Sequence, residues 1–303
     1  MSFTLTSFLK TFLSKTIIKT NFLYLSLCLA LSLALTACGG GGGGGNGDDN
    51  SEENEVSDIT VEDAMLRIEA ENSYVEDGYR EVQKRLDVIG KANVYSISAD
   101  VIVDPSSTVT PSSGIETEIR LRYYPSSTSA DLVGDEGYYG VVLRMMKNFN
   151  NPEPFVLALS YICTDENCND DTQETSNPFG DFENRENISD WSSLNNLSLE
   201  YNDNKDGRGQ RFIFTFNGDR SELPIDELNN SNFFLTNGIT FNQDDLLSAQ
   251  IRSRVRHINN PGDRGYILAY YDNVMVNGEL YDNFSNGLDE SKWELQERFR
   301  FKH

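Results

Sequence analysis

The chain has 303 residues, 25 basic and 48 acidic, and a net charge of −23 at neutral pH. So acidic a composition argues against nucleic acid and anionic lipid surfaces as partners, because both are polyanions. It reads first as a solubility device and second as a multi-site cation binder. The length suffices for one large all-β domain, or two small ones, with a substantial core.

In chain order, the first segment carries Lys10, Lys15 and Lys19 and no acidic residue, then an apolar run from Phe22 to Leu35. A basic stretch, an apolar stretch and small residues at its end make a secretory signal peptide. The apolar run falls short of the roughly 20 residues a membrane-spanning helix needs, so an uncleaved anchor is the minor reading. Leu35-Thr36-Ala37-Cys38 resembles the lipobox of bacterial lipoproteins. That resemblance implies cleavage after residue 37 and acylation of Cys38 on its sulfur and its new amino group, palmitate among the expected chains. Several chains hold a protein on a membrane where one does so only marginally. Ordinary secretion with an incidental cysteine is the alternative. Gly39 in the second mature position, with no Asp there, points to the outer membrane, on its periplasmic side or at the cell surface.

Residues 38–58 form a linker: the acylated Cys38, the unbroken run Gly39 to Gly45, then Asp48, Asp49, Glu52, Glu53, Glu55 and Asp58. Glycine is costly to order and the like charges keep the tether open, with a reach of roughly 25 Å. A phosphate-binding loop is a poor reading, since no strand precedes the run and no Lys-Ser/Thr pair follows it. Without the three signal-peptide lysines, 22 basic residues remain against 48 acidic ones.

Residues 59–303 read as one all-β domain of many short strands, an antiparallel sandwich or barrel. Period-two alternation dominates: Tyr95 to Val103, Ile115 to Tyr123, Phe155 to Tyr161, Leu197 to Tyr201, Arg211 to Phe216, Ala249 to Val255, Tyr266 to Val276 and Trp293 to Phe301. The Phe155 strand is apolar on both sides and is expected to be central. Asn202 to Gly207 reads as the turn of a long hairpin, and Asn217-Gly218 and Asn277-Gly278 as tight turns. Helix-like spacing at Tyr79, Val82, Leu86 and Ile89 is too weak to displace a strand there. Asp165 to Ser193 is polar and reads as a long surface loop. Cys163, just before this loop, and Cys168, inside it, form the expected disulfide that pins a strand end, given an oxidising exported setting. So short a loop contributes about 2 kcal/mol. Too few histidines and cysteines are present for zinc, and the spacing is not that of a redox C-x-x-C pair.

Ala269 to Gly278, and Tyr281 to Trp293 with its D-x-F-x-x-x-L-D-x-x-x-W pattern, resemble the closing and opening stretches of concanavalin A-like (lectin/glucanase, laminin-G-type) jelly rolls. The resemblance implies an all-β antiparallel sandwich of two curved sheets. Here the opening stretch follows the closing one, as if it supplied a final strand to the same sandwich.

The glucanase E-x-D-x-x-E pattern is absent. Glu116 and Glu118 share a strand face but alternate with core residues ahead of Arg120, which reads as a solvated charged face. No catalytic residue is assigned, and His257 and His303 read as surface histidines. Asn202-x-Asn204-x-Asp206-Gly207 half-matches a calcium loop, but its twelfth position is Ile213 where a Glu is required; a plain turn is the stronger reading. Calcium elsewhere stays open, with Asp272, Asp282 and Asp289 too scattered to assign; no other cofactor is expected. Sugar stacking could involve Tyr123, Tyr124, Tyr138, Tyr139 and above all Trp191, whose other reading is to anchor its loop. The expectation is therefore a membrane-anchored lipoprotein with a non-catalytic sandwich that binds a polysaccharide or a surface protein. A glycoside hydrolase or lyase without a recognised motif, and a structural envelope lipoprotein, are the alternatives.

Overall fold

The computed structural model describes residues 59–91, 93–123, 139–148, 151–163, 171–172, 188, 190–230, 241 and 246–301, all within the compact unit Asn54–His303. The signal peptide, Cys38 and most of the linker lie outside the described residues, as does Cys168. No described helix is long and apolar enough to cross a membrane.

Two antiparallel sheets stack face to face. The first runs, in spatial order, β1 (Ile59–Glu62), β2 (Met65–Ser73), β14 (Arg264–Val276), β4 (Ser96–Val103), β10 (Asn195–Asp203), β11 (Gln210–Phe216) and β12 (Asp219–Pro224). The short β5 (Thr108–Val109) and β15 (Glu279–Asp282) also pair with β14. The second runs β16 (Trp293–Phe301), β3 (Tyr79–Val88), β13 (Leu246–Arg256), β6 (Gly114–Tyr123), β7 (Tyr139–Asn148), β8 (Asn151–Cys163) and β9 (Asp171–Thr172). One helical turn, α1 (Ile225–Asn229), follows β12. Sheets one and two exchange the chain repeatedly, so strands distant in sequence become neighbours, as β14 does between β2 and β4.

The alternation read from the sequence matches this layout. Ile97, Ala99, Val101 and Val103 of β4 face inward and are 1 % exposed or less, while the residues between them are half-buried. Asn217 and Gly218 both take positive φ (48° and 86°), as do Asn277 and Gly278 (54° and 78°). That pairing of left-handed residues is what a two-residue hairpin of matching twist requires. Tyr79 to Val88 is a strand. Here the helix-like spacing misleads because both faces of β3 are buried. β8 is not central: it is second from the edge, flanked by the two-residue β9. Apolar residues on both faces of a strand report burial on both sides, which neighbouring chain can supply near an edge as well.

The core fills the space between the sheets. Tyr201, Phe212 and Phe241 form an aromatic trio with centroids 5.2–5.6 Å apart. Burying each such ring is worth about 1.5–3 kcal/mol. Gly265 marks a close approach of the two sheets: a β-carbon there would lie 2.5 Å from Cγ1 of Val255. The C-terminal motif works as a clasp. Asp282 accepts the Trp293 indole N–H (2.8 Å) and the Phe284 amide (3.0 Å). Phe284 stacks on Trp293, and Tyr281 meets it edge-on. The Tyr281 hydroxyl donates to the carbonyls of Ile89 and Lys292. This clasp joins β15 of sheet one to β16 of sheet two, so the displaced motif does supply a last strand to the same sandwich.

Candidate ligand-binding face

Alternate residues of a strand point to opposite faces, so the residues that leave Ile115, Thr117, Ile119 and Leu121 in the core send Glu116, Glu118, Arg120 and Arg122 to the outer face of sheet two. Pairing register then sets the residues of other strands beside them. Arg254 and Arg252 of β13 stand opposite Glu116 and Glu118. Arg144 of β7 stands opposite Glu118 from the other side. Gln250 lies between Arg120 and Asp87, and Arg300 lies opposite Glu81. Including Arg85, Arg122, Arg256 and Arg298, nine of the chain's sixteen arginines occupy this one face. Among the described residues of β3, β6, β7, β13 and β16, five carboxylates share it: Glu81, Asp87, Glu116, Glu118 and Glu294. A chain of net charge −23 thus carries one sheet face with a cationic surplus.

The centre of the face is closely knit. Glu118 is ion-paired with Arg120, with Arg252 at 2.8 Å and with Arg144 at 3.2 Å. Glu116 binds Arg254, Arg144 (3.0 Å), Arg252 (3.3 Å) and Arg256 (3.5 Å). Arg252 also donates to Gln83 (2.7 Å) and Arg254 to Glu81 (3.1 Å). Both glutamates are fully buried and Arg120 and Arg144 nearly so. The expectation of a solvated charged face is thereby overturned. Each strand by itself shows charges alternating with core residues. Only register reveals that the partner strands lay arginines over the glutamates and exclude water.

The electrostatics follow from the same geometry. Burial pushes the Glu118 carboxyl up, but Arg120, Arg252 and Arg144 outweigh it and hold its pKa at about 2. Burial likewise opposes ionisation of Glu116, and Arg144, Arg254, Arg256 and Arg252 lower its pKa well below the usual range. The surrounding arginines thus favour the ionised form of both carboxylates. Arg252 shows the surplus from the other side: burial, then Arg120 and Arg254, bring its pKa down to about 10 against the pull of Glu118 and Glu116. Burial also lowers Arg144 and Arg256. Asp87 behaves differently, because burial raises it more than Arg85, Arg122 and Arg120 lower it. Beside it the Gln250 side chain is fully buried, and among the described residues neither its oxygen nor its nitrogen has a hydrogen-bond partner.

The residues singled out from sequence fall elsewhere. Trp191 is 8 % exposed and belongs to the core cluster, and its carbonyl accepts the Val103 amide at 3.0 Å. Its ring is packed into the core and is no exposed platform. Tyr124 and Tyr138 lie outside the described residues, and Tyr123 and Tyr139 stand opposite each other in backbone register. The half-matched calcium loop already holds a cation of its own. Arg211, almost fully buried, binds Asp206, the Gly209 carbonyl (2.7 Å) and Glu222 (3.1 Å). Asp272 and Asp289 accept hydrogen bonds from their own turns, at Asn273 and Ser291. Among the described residues no three metal-ligating side chains converge. His257 sits exposed at the end of β13 in a left-handed conformation, and His303 is outside the described residues.

No protein-family model matches the chain, and no curated protein matches it by sequence. Two solved structures resemble it loosely. One is an alginate lyase from a Chlorella virus, at 11 % identity over 73 % of this chain and 88 % of that one, with a TM-score of 0.33. The other is a beta-porphyranase from the human gut bacterium Bacteroides plebeius, at 6 % identity over 72 % and 78 %, with a TM-score of 0.21. Nothing about ligand or chemistry follows from likeness at this level. The two stacked sheets themselves define the class: an all-β antiparallel sandwich of the jelly-roll kind, with a guanidinium lattice on the outer face of one sheet.

Proposed function

We propose that the protein is a lipid-anchored sandwich that binds an acidic polysaccharide on the outer face of sheet two. One observation carries this reading: nine arginines against five carboxylates on a single face of an otherwise acidic chain. Guanidinium groups bind carboxylate and sulfate in forked pairs. The surplus that lowers Arg252 is relieved when an anion arrives. Arg122, Arg256 and Arg300, each 10–15 % exposed at the side chain, form the accessible margin of the lattice. The acidic remainder of the surface then restricts binding to this face by repelling polyanions elsewhere.

The test is a titration of the protein with a polyuronate, a sulfated galactan and a neutral glucan at two salt concentrations. The acidic polymers are expected to bind, with affinity falling as salt rises, and Arg122→Ala is expected to weaken binding several-fold. Equal binding of the neutral glucan, or binding indifferent to salt, overturns the assignment. Anchoring through Cys38 is tested separately: Cys38→Ser should abolish palmitate labelling and release the protein from the membrane fraction. A catalytic reading rests on Asp87, the carboxylate of the face whose pKa is raised, next to the unpartnered Gln250 amide. Shortening of a polyuronate by the wild type but not by Asp87→Asn would establish it.

A further inference from the structure

Natural sheets guard their edges, because a free strand edge is a template for pairing with another chain. Three of the four edges here are guarded. β9 has two residues and β1 four. β12 carries Asp219, Arg220 and Glu222 and ends on Pro224. β16 is different. It runs nine residues and pairs with β3 in unbroken register from Trp293 to Arg300, and no described strand lies on its other side. Leu295, near its middle, is 48 % exposed.

The sequence of this strand is complementary to itself when reversed. We infer that β16 pairs antiparallel with β16 of a second copy about a two-fold axis at Glu297. In that register Glu294 of one copy faces Arg300 of the other, Leu295 faces Phe299, and Gln296 faces Arg298, each pairing occurring twice. Opposite charges and apolar pairs set directly across two strands stabilise the pairing, and like charges there oppose it. Glu297 would meet its own copy, but each is already ion-paired with a buried Lys84. The contact is isologous and closes as a dimer. It joins the two second sheets edge to edge and makes one continuous surface of two arginine faces. A strand-to-strand contact of this length is small for a specific interface, so association depends on concentration, as two-dimensional confinement on a membrane would provide.

The experiment uses full chains carrying two different epitope tags, reconstituted together at matched density in lipid vesicles and joined by a short cross-linker before solubilisation and capture. Wild-type copies should co-precipitate. Glu294→Arg and Arg300→Glu, each mixed with its own tagged copy, should lose at least tenfold in capture, because like charges then face across both symmetric positions. Mixing the Glu294→Arg chain with the Arg300→Glu chain should restore capture, since both pairs between positions 294 and 300 are again opposite in charge. That recovery cannot arise from misfolded variants. Absence of wild-type self-association, undiminished capture by either variant alone, or no recovery in the mixture overturns the proposal.

Discussion

Replacing Glu118 by Gln keeps the shape of the side chain and removes one charge from the centre of the lattice. Arg120, Arg252 and Arg144 lie within 3.2 Å of that carboxylate, and all are buried. Removing one partner of a buried ion pair costs about 3–5 kcal/mol, because the remaining charges stay desolvated without compensation. A second route reaches a similar figure. A carboxyl held at about 2 in the fold against an ordinary glutamate value implies roughly 3 kcal/mol of linkage at neutral pH. The sign follows from the depressed pKa: this stability is present above the unfolded glutamate pKa and disappears as pH falls from the mid-fours toward 2. Urea unfolding of Glu118→Gln at neutral pH should therefore show a loss of about 3–5 kcal/mol with an unchanged slope. For a domain of roughly 250 residues that corresponds to a fall in melting temperature on the order of 6–20 °C. The difference from wild type should shrink on acidification through the same window. A neutral-pH loss below about 1 kcal/mol, or a difference that stays constant down to pH 2, would refute the account of the lattice as a set of mutually dependent buried charges.

Asp282→Ala should destabilise by about 2–3 kcal/mol, since it strands the Trp293 indole N–H and the Phe284 amide in a buried site; chemical denaturation followed by tryptophan fluorescence reports it. Trp191→Ala should lower stability by about 3–5 kcal/mol through the cavity it leaves. The same protein should bind polysaccharide as well as wild type once folded, which a platform role would not allow. Gly265→Ala forces a methyl group to within 2.5 Å of Val255 and should cost about 1–3 kcal/mol by overpacking, measurable as an earlier thermal transition.

Charge shows how far composition reaches. A net charge of −23 argued against polyanionic partners, and for the surface at large that argument stands. It does not describe the outer face of sheet two, where arginines outnumber carboxylates, because net charge averages over a molecule and register does not. Arg120 and Arg122 lie more than a hundred residues from Arg252, Arg254 and Arg256, with Arg144 on a third strand. Each run reads alone as an ordinary alternating strand. Gln250, the buried amide without a partner, carried no signal in the sequence, since an unsatisfied group is visible only when its neighbours are placed. The cation that fills the half-matched calcium loop was hidden for a related reason. Arg211 is only five residues past Asp206, but its insertion into the loop depends on how the hairpin folds back.

Period-two alternation, turn dipeptides and the absence of trustworthy helical spacing determined the strands and the hairpins from the sequence alone and narrowed the fold to an antiparallel sandwich or barrel. These are local properties, set by which face each side chain takes and which residues tolerate a left-handed backbone. The order of strands within each sheet, the burial of Glu116 and Glu118, the core position of Trp191 and the gathering of nine arginines were decided by tertiary structure. Each depends on which distant strand is set against which, and a one-residue change of register would send the arginines of β13 into the core and its apolar residues to the surface.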